Sequence, residues 1–227
     1  DAANMSKVVD IVCKAADRDR TILVCSAISG CTDTLIRIGH LAAGRDEEYK
    51  TLIDELQSRH HSIIKELLPL EKHEESLEIC DAEFSSLRGI AQGVCLLGEL
   101  SAASLDAIQA FGELLSTRII ATRLASVGIA TKWIDSREIV KTSSVGGKNV
   151  VDMEQTYSNV EKMIESNPIA SLFVLPGFIS SDAHGRTTTL GRGGSDYSAS
   201  LFAVGCKARV LEIWTDVPGM MTSNPKI

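Results

Sequence analysis

Residues 21–44 read TILVCSAISGCTDTLIRIGHLAAG. The opening TILVC is short and rich in apolar, β-branched residues, the pattern of a buried strand. Ser26, Ala27, Ser29 and Gly30 then make a small-residue loop that turns into a helix. Strand, loop and helix in this order form the repeating unit of an α/β sheet, and ligands bind where such a strand ends. The same alternation runs outward in both directions. MSKVVDIVCKAADRD places Met5, Val8, Val9, Val12 and Ala16 on one helical face. Residues 46–69 and 73–98 read as two charged amphipathic helices broken at Pro69, and residues 101–126 as a third helix ended by Gly128. IATKWID reads as a strand, and EQTYSNVEKMIESN as a helix stopped before Pro168. SLFVLPGFIS reads as a strand, SDAHG as a turn, RTTTL as its hairpin partner, SDYSASLFAVGCKA as a helix and RVLEIWTDV as a strand. The expectation is one α/β domain with a largely parallel sheet covered on both faces.

The totals restrict what such a domain does. A chain of 227 residues is long enough for a sizeable core. Its net charge of −7 makes it a poor general binder of nucleic acid. Aromatic residues at 4% leave little for stacking single strands. An anionic ligand must then be held by local cations and backbone N–H groups. The six cysteines, at 13, 25, 31, 80, 95 and 206, form no C-x-x-C pair. That spacing argues against a zinc site or a disulfide framework and fits reduced thiols, with Cys25 a small buried hydrophobe. No metal ligand is assigned. No run is apolar enough to span a bilayer, and no signal peptide opens the chain. The expectation is a soluble cytoplasmic protein without membrane partners.

Four stretches carry chemistry. TLGRGGSDYS, residues 189–198, sets Arg192, two adjacent glycines and Asp196 just before a helix. Bare N–H groups at a helix start attract anions, and the planar fork of Arg192 suits a carboxylate or phosphate. Asp196 suits an ammonium group or a metal, so the loop offers both halves of an α-amino acid a partner. The plainer reading is a glycine turn, a helix cap at Ser195 or Asp196 and a surface arginine. The spacing G-x-G-G-x-D after a hairpin is not a dinucleotide fingerprint. In CSAISGCTDTL, residues 25–35, Ser26, Ser29, Gly30 and Thr32 are small donors that allow close approach, or Thr32 or Asp33 simply caps a helix. In FGELLST, Glu113 shares a helix side with Gln109, Ser116 and Thr117, either facing an amine or standing in solvent. In WTDVPGMMTSNPKI, a strand ends at Thr215–Asp216 before a Pro–Gly turn, and Lys226 follows. His184 falls in a hairpin turn and His60 and His61 on a charged helix, without a catalytic partner.

In order and spacing the four stretches resemble the aspartokinases of the amino-acid kinase family. GRTTTLGRGGSDYSASLFA is similar to that family's most specific signature, WTDVPG follows at the expected distance, and SAISGCTDTL and FGELLST look like its other substrate-side motifs. The resemblance covers essentially the whole chain. It implies a three-layer α/β/α sandwich, a mainly parallel sheet between helical layers. It also implies ATP-dependent phosphorylation of the side-chain carboxylate of L-aspartate with Mg²⁺, as entry to lysine, threonine and methionine synthesis. By position, Arg192 would hold the substrate α-carboxylate, and Glu113 and Asp196 its ammonium. Thr32, Ser26 and Ser195 would line the acceptor and phosphate side, and Thr215, Asp216 and Lys226 would contact the nucleotide. The family's K-F-G-G-T-S opening, its ACT domains and a homo-oligomer belong to a longer chain, so residues 1–227 are expected to be a catalytic domain incomplete at both ends. Two other readings stand beside this one: a kinase for glutamate or N-acetylglutamate, and a non-catalytic nucleotide- or amino-acid-binding module.

Overall fold

A computed structural model describes residues 2–214. The sequence pattern of TILVC becomes strand β1 (Thr21–Cys25), and the motif's helix becomes α2 (Cys31–Ala43). β1 pairs in parallel with β5 (Leu172–Pro176), which pairs in parallel with β2 (Thr131–Trp133), giving the order β1-β5-β2. Cys25 lies opposite Pro176 in this register, so the loops after β1 and β5 leave the sheet side by side.

β5 is buried along its whole length because helices cover both of its faces. Successive strand side chains point to opposite faces. Leu172 and Val174 accordingly join one apolar cluster, and Phe173 and Leu175 another. The first cluster is built with α1 (Ala2–Ala16), α2, α3 (Glu48–Leu67), α4 (His73–Leu97) and α5 (Ala102–Ser126). The second is built with α6 (Ser136–Ile139), α7 (Met153–Glu165) and α8 (Gly194–Gly205). The result is the expected α/β/α arrangement around a parallel sheet.

α3 and α4 form the expected long pair, broken by Pro69 and a short 3₁₀ turn. Their solvated faces carry polar pairs such as the Arg88–Asp54 ion pair and the His61–Asp81 hydrogen bond. His60, by contrast, is fully buried and sets its ring edge-on to Phe84 at 5.5 Å. Its Nδ1 donates to the Leu56 carbonyl at 2.8 Å, and burial lowers its pKa to about 4. α5 differs from the outer helices in being enclosed on several sides at once. Ala110 through Thr117 are all buried.

Two expectations are corrected, and one hairpin is additional to them. SLFVLPGFIS is two strands, not one: β5 stops at Pro176, and β6 (Ile179–Asp182) belongs to a second sheet of order β4-β3-β6-β7. The break has a steric cause. A Cβ on Gly177 would lie 2.8 Å from the Ser195 side chain, and Phe178 takes a left-handed φ of 66° to turn the chain aside. The hairpin of β3 (Lys141–Val145) and β4 (Lys148–Val151) was not assigned from sequence. Its V-G-G-K turn carries the signal, with Gly146 and Gly147 at φ 58° and 77° as a tight two-residue hairpin requires. β6 and β7 (Thr187–Thr189) form the hairpin that was expected. Finally, residues 209–214 of RVLEIWTDV join no ladder among the described residues, and Val210, Leu211, Ile213 and Trp214 are exposed. Apolar alternation alone forms no strand without a partner for its N–H and C=O groups.

Candidate functional site

The ends of β1 and β5 open into a cavity of about 460 Å³. Three of the four stretches singled out from sequence meet there. Ser26, Ser29 and Gly30 come from the loop before α2 and Thr32 from its first turn, Glu113 from α5, Arg192 from the loop before α8, and Ser195 and Asp196 from the first turn of α8. Thr215, Asp216 and Lys226 lie outside the described residues.

Two helices begin at the cavity wall. α2 follows Gly30 at φ 75°, and α8 follows Gly193 at φ 74°. The caps expected at Thr32 or Asp33 and at Ser195 or Asp196 do not form, because a left-handed glycine occupies each cap position and no side chain caps either helix. Each helix therefore points first-turn N–H groups and the positive end of its dipole toward one space. Carboxylates and phosphates are what such a space accommodates.

Glu113 is not the solvated glutamate of the plainer reading. It is 3% exposed. Its Oε1 accepts from the Ala27 N–H at 3.2 Å, while the buried Oε2 has no hydrogen-bond partner. Burial raises the carboxyl to about 7, partly offset by the Ala27 N–H. The helix reaches this position because residue 112 is glycine: a Cβ there would meet the Ala27 Cβ at 2.8 Å. One turn on, Ser116 Oγ donates to the Ser26 carbonyl at 2.8 Å and ties the loop to the helix a second time. Thr117 turns away from the loop, accepting from Trp133 Nε1 at 2.9 Å.

Arg192 and Asp196 are exposed at the rim, and Arg192 has no acidic partner among the described residues. An unpaired guanidinium, an unpartnered buried carboxyl oxygen and two helix starts without side-chain caps thus share one opening. The set complements a ligand with an ammonium group and more than one anionic group. Phe178 also lines the cavity and was not singled out from sequence. Its signal was the Pro–Gly step in LPGF, which punctuates an apolar run. The N–H of Ala27 had no signal, because its role depends on the approach of another helix.

The sequence profile of the amino acid kinase family matches residues 1–227. The chain belongs to the amino acid kinase family.

Within that family its similarities are to aspartokinases. It is 31% identical to lysine-sensitive aspartokinase 3 of Escherichia coli over 225 residues, covering 98% of this chain and 48% of the relative. It is 30% identical to the chloroplastic bifunctional aspartokinase/homoserine dehydrogenase 1 of Zea mays over 220 residues, covering 96% of this chain and 24% of the relative. The solved structure of E. coli aspartokinase III with aspartate and ADP superposes with a TM-score of 0.85 at 29% identity, covering 100% of this chain and 48% of that one. The chain thus spans between about a quarter and half of these relatives' lengths. The amino acid kinase fold accounts for the layers described above, and the cavity lies where its parallel strands end. Among the described residues no helix is long and apolar enough to cross a membrane.

Proposed function

We propose that this chain carries the amino-acid side of an aspartate kinase site, in which ATP phosphorylates the side-chain carboxylate of L-aspartate to 4-phospho-L-aspartate. The observation that carries the reading is the convergence of Arg192, the free Oε2 of Glu113 and two uncapped helix starts on one cavity. The aspartate bound in the similar E. coli structure supports the choice of acceptor.

In this reading Arg192 grips the α-carboxylate with a two-pronged contact, and Glu113 and Asp196 take the ammonium. Ser26, Thr32 and Ser195 stand beside the side-chain carboxylate and the incoming phosphate. Thr215, Asp216 and Lys226 serve the nucleotide. The acceptor is a carboxylate with a pKa of about 4, already ionised at pH 7, so the step needs no general base. The obstacle is the approach of two anions, and the N–H groups and dipoles of α2 and α8 are preorganised to absorb that charge. Mg²⁺ enters with the phosphates of ATP, as part of the substrate. The same reading carries a homo-oligomeric cytoplasmic enzyme that opens lysine, threonine and methionine synthesis. Six unpaired cysteines fit a reducing compartment.

The test uses the full-length protein with ATP, Mg²⁺, hydroxylamine and a panel of aspartate, glutamate and N-acetylglutamate. Hydroxamate is expected with aspartate alone. Product with glutamate or N-acetylglutamate instead reassigns the acceptor, and nucleotide binding without hydroxamate from any acid reduces the chain to a binding module.

A further inference from the structure

The loop that brings Arg192 to the cavity has little stiffness of its own. Gly191 and Gly193 both sit at φ 74°, and Gly194 follows. Chains rich in glycine lose more freedom on ordering than others do. The loop must therefore be fixed at its ends, and its Thr189 end is held by groups from two other elements. The Thr189 N–H donates to Asp106 Oδ2 at 3.3 Å, and its hydroxyl donates to Asp106 Oδ1 at 2.8 Å. The Thr189 carbonyl accepts from Asn149 Nδ2 at 3.2 Å, and the same amide donates to Asp106 Oδ2 at 3.3 Å. α5, β4 and β7 thus meet in one polar knot, with Thr189 itself buried.

Asp106 lies seven residues before Glu113 on α5. That spacing is about two helical turns, so both side chains leave the same face roughly 10 Å apart along the axis. One rigid helix carries Glu113 at the cavity and, two turns earlier, the carboxylate that holds the base of the Arg192 loop. We propose that Asp106 is a positioning residue, which through Thr189 sets where Arg192 stands relative to Glu113. It touches no substrate; it fixes the spacing of the two groups that do. The kinetic part of this inference rests on the amino-acid site proposed above, whereas the loop-order part does not.

Asp106→Ala removes both accepting oxygens and leaves the Thr189 N–H, the Thr189 hydroxyl and the Asn149 amide without that partner. An asparagine, by contrast, could still face its NH₂ to the hydroxyl and its oxygen to the two N–H donors. Thr189→Val removes only the hydroxyl arm. In the full-length protein, amide hydrogen exchange in residues 188–196 should quicken about tenfold in Asp106→Ala and by less in Thr189→Val, with residues 110–124 of α5 unchanged. The KM for aspartate should rise roughly tenfold while the KM for ATP stays level, a split that general loosening of the fold would not produce. Arg192→Lys should also cost less in the Asp106→Ala background than alone, because the two act through one geometry. Unchanged exchange of the loop in both variants overturns the proposal, as do KM values for aspartate and ATP that rise together. If Asp106→Ala does not fold, exchange in Thr189→Val decides alone. If Arg192→Lys by itself leaves aspartate KM untouched, the amino-acid site reading fails, and the exchange result still decides whether Asp106 orders the loop.

Discussion

Glu113 shows how far a single residue's chemistry depends on its surroundings. With one oxygen on the Ala27 N–H and the other unpartnered, its carboxyl is raised to about 7 by burial. An ammonium group pairs with the ionised form. Below about pH 7 the proton must leave before the ligand is held, so aspartate KM should rise close to tenfold for each pH unit of acidification. A pH profile of KM checks this, and Glu113→Gln should weaken aspartate use and flatten the profile in that range. Arg192 faces the opposite end of the same ligand in the proposed site. Arg192→Lys replaces a planar fork by a point charge, and a lost charge-assisted bond costs about 1.5–3 kcal/mol. Steady-state kinetics should show a roughly ten- to hundredfold fall in kcat/KM for aspartate with ATP binding intact.

At the scale of elements, close backbone approach shapes the cavity. β5 ends where α8 begins, and Gly177 has no room for a Cβ beside Ser195. The neighbour includes Ser195 Cα at 2.9 Å, so rotation of a side chain alone does not relieve the contact. Gly177→Ala should therefore push the start of α8 outward. Overpacking of this kind costs about 1–3 kcal/mol. Thermal melts should fall by several degrees, and aspartate KM should rise because Ser195 and Asp196 move with the helix. A melt and KM equal to wild type would show that the β5–α8 contact is slack.

Across the whole molecule, two buried titratable groups oppose one another. Glu113 lies at the cavity, and His60 lies on α3 against Phe84 of α4. The raised Glu113 carboxyl means the folded state holds a proton that the unfolded chain releases between pH 4.5 and about 7, so this group favours folding as pH falls. The lowered His60 imidazole, about 4 against 6.5, means the unfolded chain takes a proton that the folded state refuses, so this group disfavours folding as pH falls. The displacements are similar in size, each worth about 3 kcal/mol, and nearly cancel in wild type. Glu113→Gln removes one side of the balance. Denaturant melts at pH 7.5 and 4.5 should show it losing about 3 kcal/mol more than wild type on acidification, and His60→Leu should shift the balance the other way. Equal losses for Glu113→Gln and wild type would mean that Glu113 titrates normally.

The alternation of β-branched runs with helical periods determined the layers of this protein, because strand and helix faces must be buried whatever the topology. The residue types at the cavity were also legible: Arg192 after glycine, Glu113 among small polar neighbours and the serines after β1 all follow local chemistry. The β3–β4 hairpin has its signal in the Gly146–Gly147 turn, but that short signal was not read as a hairpin. Tertiary structure alone decided the rest. The split at Gly177–Phe178 comes from α8 pressing on β5, a contact between segments far apart along this stretch of chain. The helix starts at Gly30 and Gly193, in place of the expected side-chain caps, show their shared purpose only in the fold, which aims both at one space. Glu113 reads the same on a surface helix as on an enclosed one; only the approach of Ala27 across Gly112 buries it and sets its charge. Local patterns fix what a segment can become, and contacts between distant segments fix which groups lose their water.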